Sequence, residues 1–277
     1  MSSRRRDFVR RSVAALVSPA IAGASEPGLE RGSGVPTDIG RSFHDRGLEG
    51  TFVLLAVHDD TLLVHNPARA DQEFLPASTF KIPNSLIALE TGVIADEREV
   101  LKWDGQTRSV PEWNKDHDMR TAITVSAVWF YQELARRIGA KRMQEWIDRI
   151  GYGNRDLSGG IDQFWLTGGL RITARQQIEF IRRLYAGELP FSARTLRIVK
   201  DILVLERTPE YVLRGKTGLT GRPGIGWFVG WVERGERAWI FASNVAMKPE
   251  TDIALRKAVA LEILAELGLI RRSKETR

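Results

Sequence analysis

The sequence predicts an α+β fold, with an antiparallel sheet assembled from both ends of the chain, flanked by helices, and a helical region inserted between its halves. Three observations carry this expectation. Two short apolar runs, residues 50–57 and 61–65, flank Asp59-Asp60 and read as a β-hairpin. From Ser78 to about Leu205 the apolar residues recur at helical spacing. After Pro209 the period returns to that of strands, and one amphipathic helix closes the chain.

Taken in order, residues 1–24 read as an export signal. Arg5-Arg6-Asp7-Phe8-Val9-Arg10 sets paired arginines ahead of an apolar stretch from Ser12 to Ala22, and Ala22-Gly23-Ala24 supplies a small-x-small cleavage site. The paired arginines point to the twin-arginine (Tat) route and to a periplasmic or secreted product. The apolar part is short and interrupted by Pro19, so no stable membrane anchor is expected. Residues 25–40, with Pro27-Gly28 and Gly32-Ser33-Gly34, are expected to be a flexible lead-in. Helices are predicted over 78–89, 128–138, 141–150, 174–186 and 193–203. Short strands rich in aromatics and valine follow at 211–215, 227–233 and 239–245, and the last helix spans 251–267. The body, 25–277, divides into an α/β part of about 25–77 and 188–277 and a helical part of about 78–187.

Bulk properties exclude several classes. At 277 residues the chain suits one large domain or two intimately packed ones. Its formal charge is +6, but the five arginines and one aspartate of residues 1–24 supply most of that excess. The nearly neutral body has no electrostatic footprint for nucleic acid. Cysteine is absent, which removes disulfides, thiol catalysis and thiolate metal sites. His44, His58, His65 and His117 are the only histidines and form no paired ligand motif, so no metal is expected. They read as surface residues or as residues behind a site. Asp116 and Asp118, with Glu112 nearby, read as a solvated loop edge.

The chemistry-bearing stretch is Pro76-Ala77-Ser78-Thr79-Phe80-Lys81-Ile82-Pro83. Ser78 and Lys81, three residues apart, share one face of a helix turn. Ser78 falls in the first turn, where free N–H groups and the helix dipole favour a nucleophilic oxygen and an oxyanion. A lone Ser-x-x-Lys pair arises by chance in a chain of this size, so its companions matter. Ser126-Ala127-Val128 opens a predicted helix, Tyr152-Gly153-Asn154 lies in a loop, and Lys216-Thr217-Gly218 ends a predicted strand.

That ordered set resembles the penicillin-recognising serine enzymes, and specifically the class D (oxacillinase-type) β-lactamases. Trp103-Asp104-Gly105-Gln106, Gln163-Phe164-Trp165-Leu166, Ile225-Gly226-Trp227-Phe228-Val229-Gly230-Trp231 and Leu255-Arg256 extend the resemblance over residues 45–267. It implies the serine β-lactamase/penicillin-binding-protein-like fold and hydrolysis of a small-molecule β-lactam through a Ser78 acyl-enzyme. It further implies that Lys81 takes up carbon dioxide as an Nζ-carbamate and acts as general base in both half-reactions. Among Phe80, Val128, Trp165 and Leu166 such an amine is desolvated, and the Trp165 N–H is the donor for the carbamate. Ser126 relays a proton to the leaving nitrogen, and Lys216 tunes that hydroxyl. Thr217 and Arg256, with Gly218 and Val128, contact the substrate. The N–H groups of Ser78 and Leu219 form the oxyanion hole. No other cofactor is implied, and a monomer or homodimer is expected.

Departures are local. Leu219 stands where many relatives carry an aromatic residue, and Thr220-Gly221-Arg222-Pro223-Gly224 is a loop of this chain's own. Thr167 stands where some relatives have an acidic residue. The rival readings are a penicillin-binding sensor that acylates and deacylates slowly, and a D-alanyl-D-alanine peptidase.

Overall fold

The computed structural model describes residues 38–272, so the export segment predicted at 1–24 lies outside the described residues. The short helix α1 (Arg41–His44) leads into the hairpin β1 (Gly50–Ala56) and β2 (Thr61–His65). Helix α2 (Pro67–Ala70) and a 3₁₀ turn (Ala77–Phe80) precede α3 (Lys81–Glu90). Then come α4 (Met119–Val125), α5 (Val128–Ile138), α6 (Ala140–Ile150), α7 (Ala174–Ala186) and α8 (Ala193–Ile202). Strands β3 (Val204–Arg207), β4 (Val212–Leu219), β5 (Gly224–Arg234) and β6 (Arg237–Met247) are followed by α9 (Leu255–Glu266).

The six strands form one antiparallel sheet in the order β2-β1-β6-β5-β4-β3. The N-terminal hairpin joins the last strand, with Phe52 opposite Ser243, so the two chain ends meet in mid-sheet as the sequence predicts. Side chains alternate across the sheet and feed two cores. Val53, Leu55, Val229, Trp231, Ile240 and Ala242 face the helices from α3 to α8. Phe52, Leu54, Phe228, Val232 and Phe241 face α9, where Val259, Ile263 and Leu264 complete the layer. Burial on both faces explains why β1 reads as a continuous apolar run with no polar side.

The structure departs from prediction at four places. Helix α4 was not expected, because Thr121, Ile123, Thr124 and Val125 are β-branched and weigh against a helix. Tertiary packing and a reciprocal cap hold it: Thr121 N–H donates to Asp118 Oδ1 (2.8 Å), and the Thr121 hydroxyl meets the Asp118 N–H (3.2 Å). Asp118 is therefore a helix cap rather than a solvated loop edge. Strand β3 begins two residues after α8 ends, where no turn residue marks the change. Helix α9 starts at Leu255, since the Lys248–Thr251 turn takes up the residues expected to open it. Predicted strand 211–215 runs on to Leu219 as β4, so Lys216-Thr217-Gly218 lies inside a strand.

Backbones approach closely where β4 meets β5. Gly215 pairs with Gly230, and a Cβ on Gly230 would stand 2.0 Å from the Arg214 carbonyl oxygen and 2.6 Å from Gly215 Cα. Gly230→Ala is therefore expected to force the two strands apart and to destabilise the fold by about 2–3 kcal/mol. Thermal unfolding is the check: the midpoint should fall by roughly 5–10 °C, and an unchanged midpoint would refute the close approach.

Candidate active site

Ser78 sits in a turn clamped from several sides. Ala77 holds φ +49°, a left-handed conformation that costs a residue with a Cβ about 1–3 kcal/mol. The neighbours enforce it. Ala77 N–H donates to the Trp165 carbonyl (3.0 Å), the Thr79 hydroxyl to the Pro76 carbonyl (2.7 Å), and the Trp227 indole to the Leu75 carbonyl (2.9 Å). On the sheet side, a Cβ at Gly218 would come 3.0 Å from the Pro76 oxygen, so glycine lets β4 lie this close without its neighbours giving way. Ser78 itself belongs to the 3₁₀ turn, one turn ahead of the regular helix predicted to contain it.

Lys81 opens α3 and is fully buried. Its Nζ donates to Ser78 Oγ at 2.8 Å and stands 5.3 Å from the centroid of the Tyr131 ring. Among the described residues no carboxylate lies close enough to hold it charged. Burial, reinforced by the positive charge of Lys216, pushes the Lys81 amine well below the ordinary lysine range. Lys216 is itself pushed down to about 7, by burial first and then by Arg256 and Lys257. Its Nζ donates to the Thr217 carbonyl at 3.0 Å.

Trp165 is fully buried and stacks on Phe80 with centroids 5.2 Å apart. Its indole N–H has no acceptor among the described residues. A buried donor without a partner, on a ring stacked against the residue that precedes Lys81, suits a carboxylate-sized acceptor grafted onto that amine.

Ser126 requires a correction. It is not at a helix N-terminus but caps the C-terminus of α4, at φ 59° and ψ 38°, and hinges that helix to α5. Its hydroxyl is buried and unpartnered. The preceding turn, Ile123 and Thr124, lines a cleft of about 510 Å³ together with Lys216, Thr217 and Arg256. Arg256 donates to the Ile253 carbonyl and leaves its Nε unpaired. Its Cβ would meet a Cβ on Gly226 at 2.8 Å, which accounts for that glycine. Val128 is the first residue of α5, one turn before Tyr131 and so on the helix face that turns toward Lys81. Leu219 ends β4 beside Gly218, half-buried against the α9 core.

Tyr152-Gly153-Asn154 does not enter the site. The Tyr152 ring lies edge-on behind Phe80 at 5.7 Å. Asn154 donates to the Gly169 carbonyl (3.0 Å) and accepts from the Arg171 N–H (2.9 Å), clasping the loop that carries Trp165. Gly153, at φ +55°, is needed because a Cβ there would strike the Arg171 carbonyl.

Residues 50–265 match the model of the penicillin binding protein transpeptidase domain. Beta-lactamase OXA-48 of Klebsiella pneumoniae is 47% identical over 82% of this chain and 87% of its own. Beta-lactamase OXA-10 of Pseudomonas aeruginosa is 42% identical over 93% and 96%. The crystal structure of the class D β-lactamase YbXI from Nostoc superposes with a TM-score of 0.82 at 49% identity, covering 84% of this chain and 99% of that one. The chain belongs to the class D β-lactamases. That family works without a metal or dissociable cofactor, and among the described residues no group of three or more His, Asp or Glu converges on one point.

In this class D β-lactamase, sequence reasoning missed the shell that orients the buried lysine. Ser85 Oγ donates to the Lys81 carbonyl (2.8 Å) and lies 3.0 Å from the Tyr131 hydroxyl, fixing the ring that faces the amine. Helical spacing offered the signal, since Tyr131 follows Val128 by three residues and Ser85 follows Lys81 by four. His117, expected at the surface or behind the site, is 1% exposed and bonded to Thr121 and the Glu112 carbonyl, a structural post under α4.

The depressed Lys216 gives a stability test with a definite sign. Its folded value, about 7, lies below the unfolded value of 10.5. Between those limits the unfolded chain binds more protons, so stability rises with pH across that window, and the burial penalty is complete below it. Lys216→Met should therefore melt about 5 °C or more above the parent at pH 6.5, a gap that narrows steadily toward pH 10. Melting curves across that range decide it, and a gap independent of pH contradicts the depressed value.

Proposed function

We propose that this class D β-lactamase hydrolyses the β-lactam amide of penicillins, and of other β-lactams its cleft admits, through a Ser78 acyl-enzyme. The observation that carries the reading is the 2.8 Å contact between Ser78 Oγ and a fully buried Lys81 amine that no carboxylate holds in the charged state. A neutral amine adds to carbon dioxide, releasing one proton, and the resulting carbamate supplies the general base for both half-reactions. Trp165 would hold it through the unpaired indole N–H, and the Phe80 and Tyr131 rings keep bulk water from it.

The remaining roles belong to the chain's own groups. Ser78 gives up its proton and attacks the lactam carbonyl, and the N–H groups of Ser78 and Leu219 receive the developing oxyanion. Ser126 passes a proton to the lactam nitrogen as the C–N bond breaks, and its unpartnered hydroxyl supports that task. Lys216, titrating near neutrality, replenishes that proton. Thr217 and Arg256 take the substrate carboxylate, for which the guanidinium fork is suited, while Gly218 and Val128 border the bound ring. The base releases the proton it took from Ser78, and Lys216 regains one from solvent. A water activated by the freed base then displaces the acyl group as the Ser78 hydroxyl is restored.

The support for export is the order of charged, apolar and cleavage regions in residues 1–24. The mature catalytic domain, 25–277, is then periplasmic or secreted by the twin-arginine route, acting as a monomer or homodimer. No described helix is long and apolar enough to cross a membrane.

Hydrolysis of a chromogenic cephalosporin by the mature protein, with and without added bicarbonate, tests the reading. Turnover should rise with bicarbonate, and the carbamate should appear on Lys81 in carbon-13 spectra. Stoichiometric acylation of Ser78 without turnover would instead support the sensor. Lys81→Ala should lose about 10²–10⁴-fold in turnover, as expected for removal of a general base, and should accumulate any acyl-enzyme it forms. Trp165→Phe should retain activity only at raised bicarbonate. Full activity of either variant without bicarbonate refutes the role given to that residue.

A further inference from the structure

The cleft lined by Lys216, Thr217 and Arg256 holds one more cation than the chemistry above uses. Its floor is Lys216 and Thr217 on β4, and one wall is apolar, with Ile123 on α4 and Ile202, Val204 and Leu205 around the α8–β3 junction. The opposite wall is the first two turns of α9, which present Arg256 and Lys257. Lys216 serves Ser126, and Arg256 with Thr217 takes the substrate carboxylate. Lys257 remains. Its Nζ stands 5.8 Å from the centroid of the Phe228 ring, and Phe228 lines the same cleft.

No acidic side chain is among the described residues lining this cleft. The carboxylate acting on Arg256 is Asp252, which precedes α9 and lies outside the lining. Lys257 is felt within the site, since its charge helps push Lys216 down to about 7. Arg256 and Lys257, with Lys216 partly charged, set more positive charge around about 510 Å³ of partly apolar space than one substrate carboxylate neutralises. A monoanionic β-lactam leaves the cleft positive, and the uncompensated charge falls on the α9 side. The cleft volume is in the range that accepts a small-molecule ligand together with a substituent.

We propose that Lys257 is a specificity-determining residue that favours β-lactams carrying a second anionic group on the fused-ring substituent, beside the ring carboxylate. This rests on the reading of the cleft as the β-lactam site. The apolar wall from Ile202 to Leu205 packs the body of that substituent, while the ammonium of Lys257 meets its charge. A half-buried ammonium attracts an anion through partly excluded water, so the preference falls as salt rises.

Two cephalosporins test this, identical except that one bears a carboxymethylthio group and the other a neutral methylthio group on the fused-ring substituent. Dissociation constants are read by calorimetry on the mature Ser78→Ala protein, which reports binding whether or not turnover occurs. Steady-state constants are read on the parent chain. Lys257→Met should weaken binding of the dianion about tenfold and of the monoanion less than twofold, the size expected for one partly screened charge pair. KM should carry the change and kcat should not, and Lys257→Arg should restore the preference. Equal losses for both substrates, or none for either, would overturn the assignment. Lack of turnover in the parent with the binding ratio intact would refute the hydrolytic reading and leave this one standing.

Discussion

An amine sealed from water with no anion to balance it is the constraint around which this enzyme is arranged. A buried ammonium pays a large desolvation penalty, so the Lys81 amine is pushed well below the ordinary lysine range and its uncharged, nucleophilic form is favoured. Everything close to it keeps that condition. Phe80 and Trp165 stack against one another, Tyr131 turns its ring to the amine, and Ser85 locks that ring to the backbone of Lys81. Among the described residues its one hydrogen-bond partner is the Ser78 hydroxyl. A glutamate or aspartate within reach would hold the lysine charged and end its usefulness as a latent base.

The larger architecture is subordinate to that requirement. The sheet gathers strands from both chain ends and offers β4 as a flat rail, with Gly218 permitting the serine turn to rest on it. The Asn154 clasp closes the loop that brings Trp165 down onto Phe80, so a residue outside the site helps position that ring. Arg120 reaches both Glu97 (3.0 Å) and Asp201 (2.5 Å) and ties α4, which ends at Ser126, to α8. Each of these exposed bonds is worth little alone. They act by fixing where helices end.

Much of this was legible in the residues. The change of period at Ser78 and again after Pro209 placed the sheet and the helical region, because burial on two faces leaves strong apolar runs. Ser78 and Lys81 were legible because an i, i+3 pair has one geometry on any helical turn. Helix α4 was not, since its β-branched residues speak against a helix and only the Asp118 cap speaks for it. Ser126 was misplaced for the same reason: with α4 unseen, the serine had only α5 to belong to. Tyr152-Gly153-Asn154 stood in the right order but does mechanical work, and no local pattern separates a residue that touches substrate from one that braces a loop. Lys257 gave no signal, since its position depends on how α9 meets β4.

Ala77 and Ser126 both hold left-handed backbone conformations with a side chain attached. Glycine or asparagine would occupy such a hinge with less strain, and at position 126 either one would delete the hydroxyl in the same step. Under the proton-relaying role proposed for Ser126, drift toward easier folding at that junction runs away from catalysis. A lineage released from its substrate would meet no folding barrier to losing Ser126. The result would be an abundant, well-folded and inert descendant, indistinguishable from its active parent by expression level or by shape.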